Sequence, residues 1–587
     1  MSPASRTKFL LLSAFFCVLF TFAQLVTAQT TEARAQEAQT VYAQGMAALE
    51  NGDLASARTE FQKAVRLEPR SPEAHNSLGW VLLQAGQFEN AVAQFQIATK
   101  LRPNFAQAHL NLANALAAQQ DFAEATDEAH EAVRLAPKDS ESHRTLGRIL
   151  SFRGDLPGGI AEMQKAIALD PKRPDLHDDL GTLFEESGNL DDAAAQFSQA
   201  LRLKPDFQVA ELHLGIVRWQ QHSLAEAQEL LAKVVQSDPK DAEAHYYLGR
   251  VLEDEKQPTP ALDQFRNATS LRPDFTDAQN SLGLLAQRLG DVQTAVAAFR
   301  KVVQLQPDNP DAHNNLGLAL IQSGDAASSV SEFKTAISMR PEDPGYVENL
   351  GTAYLQRADF DSAVAQFQAA LKLAPQDASA HYDLGLALKL KDQLPEAIAE
   401  FQTAAQLSPN QPDIHYTLGV TLWQKGDFAE AEKQLRAATI AKPDYGEAYY
   451  TLGTVLKQED KLADAAAALR KAIEINPNLV GAHTNLAAIL RQQGDTAAAE
   501  AESRRAQELF KQSNSLQAAT FNTNSGKRLL QAGDLDGAIS QFRSAITLAP
   551  NYAPAHQELG QALAQKGQKQ EAEEEFRKAA QLQTQSQ

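Results

Sequence analysis

The chain has a single cysteine in 587 residues, only three tryptophans and four methionines, and no apolar stretch past residue 26 long enough to cross a bilayer. With Cys17 its one thiol, it cannot build a disulfide framework or a paired-cysteine metal site. Basic charge is also scarce: 54 Lys and Arg stand against 74 Asp and Glu, a formal charge of −20. No local basic stripe offsets that excess, which argues against nucleic acid as a partner. HExxH, GxSxG and phosphate-loop motifs are all missing, and with them the usual signs of an enzyme, a metal site or a cofactor. Yet 43% of residues are apolar and 22% charged, too apolar and too evenly mixed for a disordered or collagen-like polymer. The chain is expected to fold.

The N-terminus reads as a targeting segment. Arg6 and Lys8 form a positive start, residues 9–22 an apolar run, and Val26-Thr27-Ala28 a small-residue cleavage site. Export to the periplasm or cell surface follows, with residues 1–28 removed as a signal peptide and 29–37 left as a short linker. Cys17 follows Phe15-Phe16, where a lipoprotein signal needs small residues, so lipid attachment is not expected. The alternative is an uncleaved signal anchor, the one route by which this chain would touch a membrane.

Beyond the signal, prolines fall at 69, 103, 137 and every 34 residues to 477, thirteen in unbroken register. Twenty-four residues before each stands Gly or Ala, twelve before it mostly Ala, and eight before it Phe or another apolar residue, as in Gly79, Ala91 and Phe95. Each unit parses as two helices. In Ala378 to Pro409, SAHYDLGLALKL and LPEAIAEFQTAAQL both repeat their apolar residues three and four apart, separated by a polar turn. Glycine occupies that turn in ten of sixteen units, where the first helix ends in positive φ. Asp121/Glu124, Ser223/Glu226 and Asp427/Glu430 have the spacing of capping boxes for the second helix.

This pattern resembles the tetratricopeptide repeat family, whose 34-residue period and Leu-Gly, Ala-x3-Phe and Pro signature it carries almost throughout. The resemblance implies an all-α fold, a right-handed superhelical solenoid of antiparallel helix pairs. Fourteen repeats span 38–513, 514–518 is an insertion, and two further repeats span 519–587. Unit 14 has Lys511 in place of the proline and Ser503 in place of the Phe, which puts a boundary there. Either the last two repeats sit at another angle or a continuous helix bridges the gap. Pro157-Gly158-Gly159, opening the second helix of unit 4, is expected to be a soft spot.

Ten histidines, from His75 to His556, share one position three residues before the Leu of their units. They read as packed structural imidazoles. Burial as neutral rings would lower their pKa and make stability fade below about pH 6.5. PDLHDD, with Asp175, His177, Asp178 and Asp179, tempts a metal assignment, but acids are expected at a helix N-terminus.

The family resemblance places binding residues at positions 2, 5, 9, 12 and 13 of each first helix, the concave side of the solenoid. Position 5 reads Tyr382, Tyr416 and Tyr450 in consecutive units, with Tyr246 upstream; position 12 supplies Trp219, Trp423, Lys389 and Lys457. Such aromatics suit peptide anchoring or stacking on sugar rings; inter-repeat packing is the competing reading. The Lys and Asn set of the carboxylate-clamp members is not reproduced, because position 5 carries no Lys. The function implied is a non-catalytic interaction scaffold of the cell envelope, binding a protein or peptide along its groove. The alternative is a periplasmic part of an exopolysaccharide or envelope assembly machinery with direct polysaccharide contact.

Overall fold

The structure, a computed structural model, describes residues 33–585. The targeting segment, Cys17 and the cleavage site lie outside the described residues. Two compact units divide the chain, residues 1–301 and 302–587, and the division falls within the helix Val292–Leu305. The repeat pattern does not mark that point.

Among the described residues both units are built of helix pairs. The first helix of each repeat, called A here, starts at the first residue of its 34-residue unit: Pro72–Gln84, Ala106–Ala118 and onward to Val480–Gln492. The second, B, starts sixteen residues later, as in Phe88–Leu101 and Leu394–Leu407. The first described helix is already formed at residue 33, ahead of the expected start at 38. Within each unit, A helices pack on their own B helices and B helices on the next A, as Pro72–Gln84 does on Phe88–Leu101 and Phe88–Leu101 on Ala106–Ala118. Consecutive A helices also touch one another more closely than consecutive B helices do, so the stack curves with the A helices inside. The result within each unit is a solenoid of antiparallel pairs, since one amphipathic pair cannot bury its own apolar face.

The core is layered by repeat. Phe at position 24 of the unit, in the B helix, is fully buried in most repeats, for instance Phe61, Phe95, Phe333 and Phe401 at 0% exposure. It lies against the glycine at position 8 of helix A, which has no Cβ to block the ring: a Cβ built on Gly317 would stand 2.6 Å from Phe333. In the 302–587 unit one continuous cluster runs from Ala363 to Ala499, and Phe542 with Leu559 and Leu563 anchors a separate cluster farther on.

Asp121 and Asp427 cap their B helices by accepting from the backbone N–H of Glu124 and Glu430. Ser223 makes no such bond, and Glu226 pairs with Arg218 at 3.0 Å instead. Pro157-Gly158-Gly159 sits in the first turn of the regular helix Leu156–Leu169, with Asp155 accepting from the Gly158 N–H. Residues 514–518 are helical. They belong to one 36-residue helix, Thr496–Gln531, which fuses the B helix of repeat 14 to the A helix of repeat 15.

Every A-to-B turn places its fifteenth residue at positive φ. Ten of these are glycine; the other six are Gln120, His222, Lys256, Ala358, Asp392 and Asp460, at φ 55° to 65°. A Cβ in that region costs about 1–2 kcal/mol. Glycine relieves it but loses about 0.5–1 kcal/mol of backbone entropy. Ala358, exposed and with no side-chain hydrogen-bonding group to compensate, shows the difference most cleanly. Ala358→Gly is therefore expected to stabilise by about 0.5–1 kcal/mol, read as increased amide protection across residues 344–373 in native-state hydrogen exchange, while Gly324→Ala lowers protection across 310–339.

Candidate functional site

Side chains at positions 5 and 12 of one A helix hydrogen-bond to positions 6 and 13 of the next, and the described side chains there form a ladder between consecutive repeats. Partners stand 35 residues apart: the next repeat in the stack, one position farther along its helix. Tyr42 and Ser77 hydrogen-bond at 3.0 Å, Asn111 and Asn76 at 2.9 Å, Asp178 and His213 at 3.0 Å, and Asn349 and Asn314 at 2.8 Å. Arg144 joins Asp179 in the same way and also pairs with Asp175. The acids of PDLHDD are thus committed to Arg144, Arg173 and His213, and His177 to Gln196.

The ladder accounts for several of the aromatic positions. Trp219 Nε1 donates to Asp254 at 2.8 Å, and Trp423 Nε1 donates to Gln458 at 2.6 Å, the same step in two different repeats. Tyr382 shares a 3.1 Å hydrogen bond with Thr417. A spacing of 35 rather than 34 was the available signal for Asp254, Gln458 and Thr417. Sequence reasoning aligned residues at equal positions and so missed them.

The residues fall into two groups. In the 1–301 unit, Trp219 and Tyr246 meet through their neighbours: Tyr247 lies 5.7 Å from Trp219 and 5.0 Å from Tyr246, ring to ring. Arg250 stacks 4.9 Å over Trp219 and donates to the Tyr246 hydroxyl at 3.0 Å. Tyr246 itself is only 7% exposed and packs on Phe275 at 4.9 Å, so the packing alternative describes it. In the 302–587 unit, Tyr382, Tyr416 and Tyr450 stand half-buried on three successive A helices. Trp423 follows Tyr416 by two turns, and Lys457 donates to Asn485 at 3.2 Å. Lys389 is half-buried, and burial lowers its pKa.

Around Tyr382 the electrostatics are acidic. Glu348 and Asp383 occupy a rung of the ladder, 35 residues apart, where other repeats place complementary partners. Burial pushes the Asp383 carboxyl up to about 6, helped by the charges of Glu348 and Asp377. Burial likewise raises Glu348, whose carboxylate accepts from the Ser379 hydroxyl at 3.0 Å.

The histidines are clasps rather than ligands. In all ten, Nδ1 meets a Glu or Gln of the B helix nineteen residues on at 2.5–2.8 Å. In nine, Nε2 also meets the carbonyl of the proline six residues back; His177 Nε2 is buried without a partner. At His109 this reverses the expected pH dependence. Both of its partners, the Glu128 carboxylate and the Pro103 carbonyl, are acceptors, and the Glu128 bond raises the His109 pKa against the pull of burial. A raised pKa gives stability that is complete below the unfolded value of about 6.5 and lost as pH rises through the folded one. The stability difference between wild type and His109→Gln is accordingly expected to shrink as pH goes from about 6 to about 9; measured by urea denaturation, a difference that grows would contradict it.

The tetratricopeptide repeat family matches residues 42–98, 77–140, 144–206, 212–274, 280–345, 349–412 and 523–586, with further matches over 388–455, 446–479 and 468–501. No curated protein matches. Similar solved structures include the Cut9–Hcn1 hetero-tetramer of APC/C, 14% identical at a TM-score of 0.36 over 90% of this chain and 96% of that one. MamA of Desulfovibrio magneticus RS-1 is 26% identical at a TM-score of 0.27, over 29% of this chain and 97% of that one. Yeast Tom70 is 17% identical at a TM-score of 0.32, over 72% and 96%.

Proposed function

The chain belongs to the tetratricopeptide repeat family, and from that premise we propose that it is a non-catalytic scaffold, exported to the cell envelope, that holds a peptide or protein along the inner face of its A helices. A tetratricopeptide solenoid fits protein–protein interaction. The observation that carries the finer reading is the row Tyr382, Tyr416 and Tyr450, half-buried on successive helices that line the curve. Aromatic rings of this kind anchor a partner with large contact area and little entropy to lose. Export rests on the targeting pattern of residues 1–28, and a mature chain beginning at Gln29 is its mark.

Crosslinking capture with mass spectrometry in the protein's own cells tests the groove. The comparison is wild type against Tyr382→Ala/Tyr416→Ala/Tyr450→Ala, after both are confirmed folded. A defined envelope protein caught by wild type and lost from the variant is the expected result. Equal capture moves the interface off these tyrosines, and no protein partner at all turns the reading toward polysaccharide, which a glycan array then tests directly.

A further inference from the structure

Five A helices carry tyrosine at position 5, and what faces that ring is decided by the last residue of the same repeat, at position 34. In repeat 7 it is Phe275, 4.9 Å from Tyr246. In repeat 12 it is Tyr445, 5.1 Å from Tyr416, with its hydroxyl donating to Asp413 at 2.9 Å. In repeat 13 it is Leu479, beside which the Tyr450 hydroxyl closes over Gly481. Two repeats lack such a plug. Ser71 follows Tyr42 and Gln411 follows Tyr382, and at both an open crevice takes its place, of about 490 Å³ beside Tyr42 and about 980 Å³ beside Tyr382. The smaller one is partly filled by Arg102, which pairs with Glu73 across it.

The Tyr382 crevice has apolar walls from Pro375, Leu407 and Ile414 and acids at Asp377 and Asp413. Beside it runs the one rung named above where two carboxylates, Glu348 and Asp383, oppose each other. The protein shows in its own repeats what fills such a space: an aromatic ring against the position-5 tyrosine, with a polar edge reaching an acid. We propose that the Tyr382 crevice receives one aromatic side chain of a bound peptide, tyrosine or phenylalanine, and that a Lys or Arg next to it in the peptide neutralises the acids around the crevice. This rests on the groove reading above and names the partner's chemistry. Aromatic capture follows from the missing plug; the cationic neighbour follows from charge complementarity, in a chain of net charge −20.

Gln411→Tyr tests it by supplying the plug. Gln411 is exposed and caps its helix without a side-chain hydrogen bond, and Tyr445 holds the same position in the next repeat, so the variant keeps the fold. The probe is a synthetic Gly-Lys-Tyr-Lys-Gly peptide, blocked at both ends, titrated into the full chain by calorimetry beside versions with Ala for Tyr and Glu for Lys. The control variant is Gln402→Ala, exposed on the B helix Leu394–Leu407 of the same repeat and outside the crevice. Expected are binding to wild type and Gln402→Ala, at least about tenfold weaker binding to Gln411→Tyr, the same loss with either altered peptide, and a higher melting temperature for Gln411→Tyr. Equal affinity for the plugged variant, or no binding up to millimolar peptide, overturns the proposal. If cellular capture is lost from the triple tyrosine variant but unchanged in Gln411→Tyr, the crevice fails while the groove reading stands.

Discussion

Phe333→Ala is expected to destabilise its repeat by about 3–5 kcal/mol, and Gly317→Ala, a change of one methyl group, by about 1–2 kcal/mol. The phenylalanine ring is fully buried, and removing it leaves a cavity between two helices that the neighbouring repeats hold apart. For the glycine two effects compete. Alanine is the better helix former by up to about 1 kcal/mol, but its Cβ would stand 2.6 Å from Cε1 of the fully buried Phe333 ring, so ring or backbone must shift. Overpacking costs typically about 1–3 kcal/mol and wins. The chain contains its own control. Fourteen repeats pair glycine at position 8 with Phe, Leu or Met at position 24; the two with alanine there, Ala113 and Ala487, face the small residues Ala129 and Ser503. The double variant Gly317→Ala/Phe333→Ala should therefore lose less than the sum of the single variants, by about 0.5–3 kcal/mol. Because repeat arrays do not unfold as one two-state unit, the measurement is native-state hydrogen exchange on residues 310–339 rather than a single global midpoint.

The glycine–phenylalanine pairing shows why so much of this fold was legible. Residues that meet within one repeat recur at a fixed separation, so the period locates the helices, the turns and the buried ring together. The starts of Pro72–Gln84 and Ala378–Leu390 coincide with the unit boundaries read from the prolines. Contacts between repeats were harder. Trp219 reaches Asp254 and Tyr382 reaches Thr417 one position beyond the equivalent residue, a shift set by how one repeat leans on the next. The histidines were legible as packing groups but not in their chemistry, since Glu128 enters from another helix and turns the sign of the His109 shift. Tyr246 illustrates the limit for the candidate site. It shares position 5 with Tyr382, but Phe275, Tyr247 and Arg250 pack on it and bury it, whereas Tyr382 has Gln411 where Phe275 stands and lies beside a crevice.

Asn514→Pro is expected to uncouple the last two repeats from those before them. Asn514 is exposed in the middle of Thr496–Gln531, and proline there removes a backbone hydrogen bond and clashes with the preceding turn, at about 3 kcal/mol or more. Little else resists the break. The buried residues of this helix are Ala499, Ala506 and Leu509 on one side and Ala519, Thr523 and Gly526 on the other, with none between 509 and 519, while Phe510 and Phe521 are 59% and 72% exposed. The middle of the helix is held by its own backbone rather than by packing. Leu535–Leu548 and Ala553–Gln565 in turn pack on this helix and on each other, and reach the earlier repeats chiefly through it. Two repeats fall short of the three or so that a stacked array needs to stand alone. Breaking the helix should thus lower amide protection across 519–585 toward that of an isolated pair, open 510–518 to protease, and leave protection in 344–475 unchanged. Protection retained across 535–585 would mean that the cluster of Ile539, Phe542, Leu559 and Leu563 suffices by itself, and the fused helix would then be a connector and not a support.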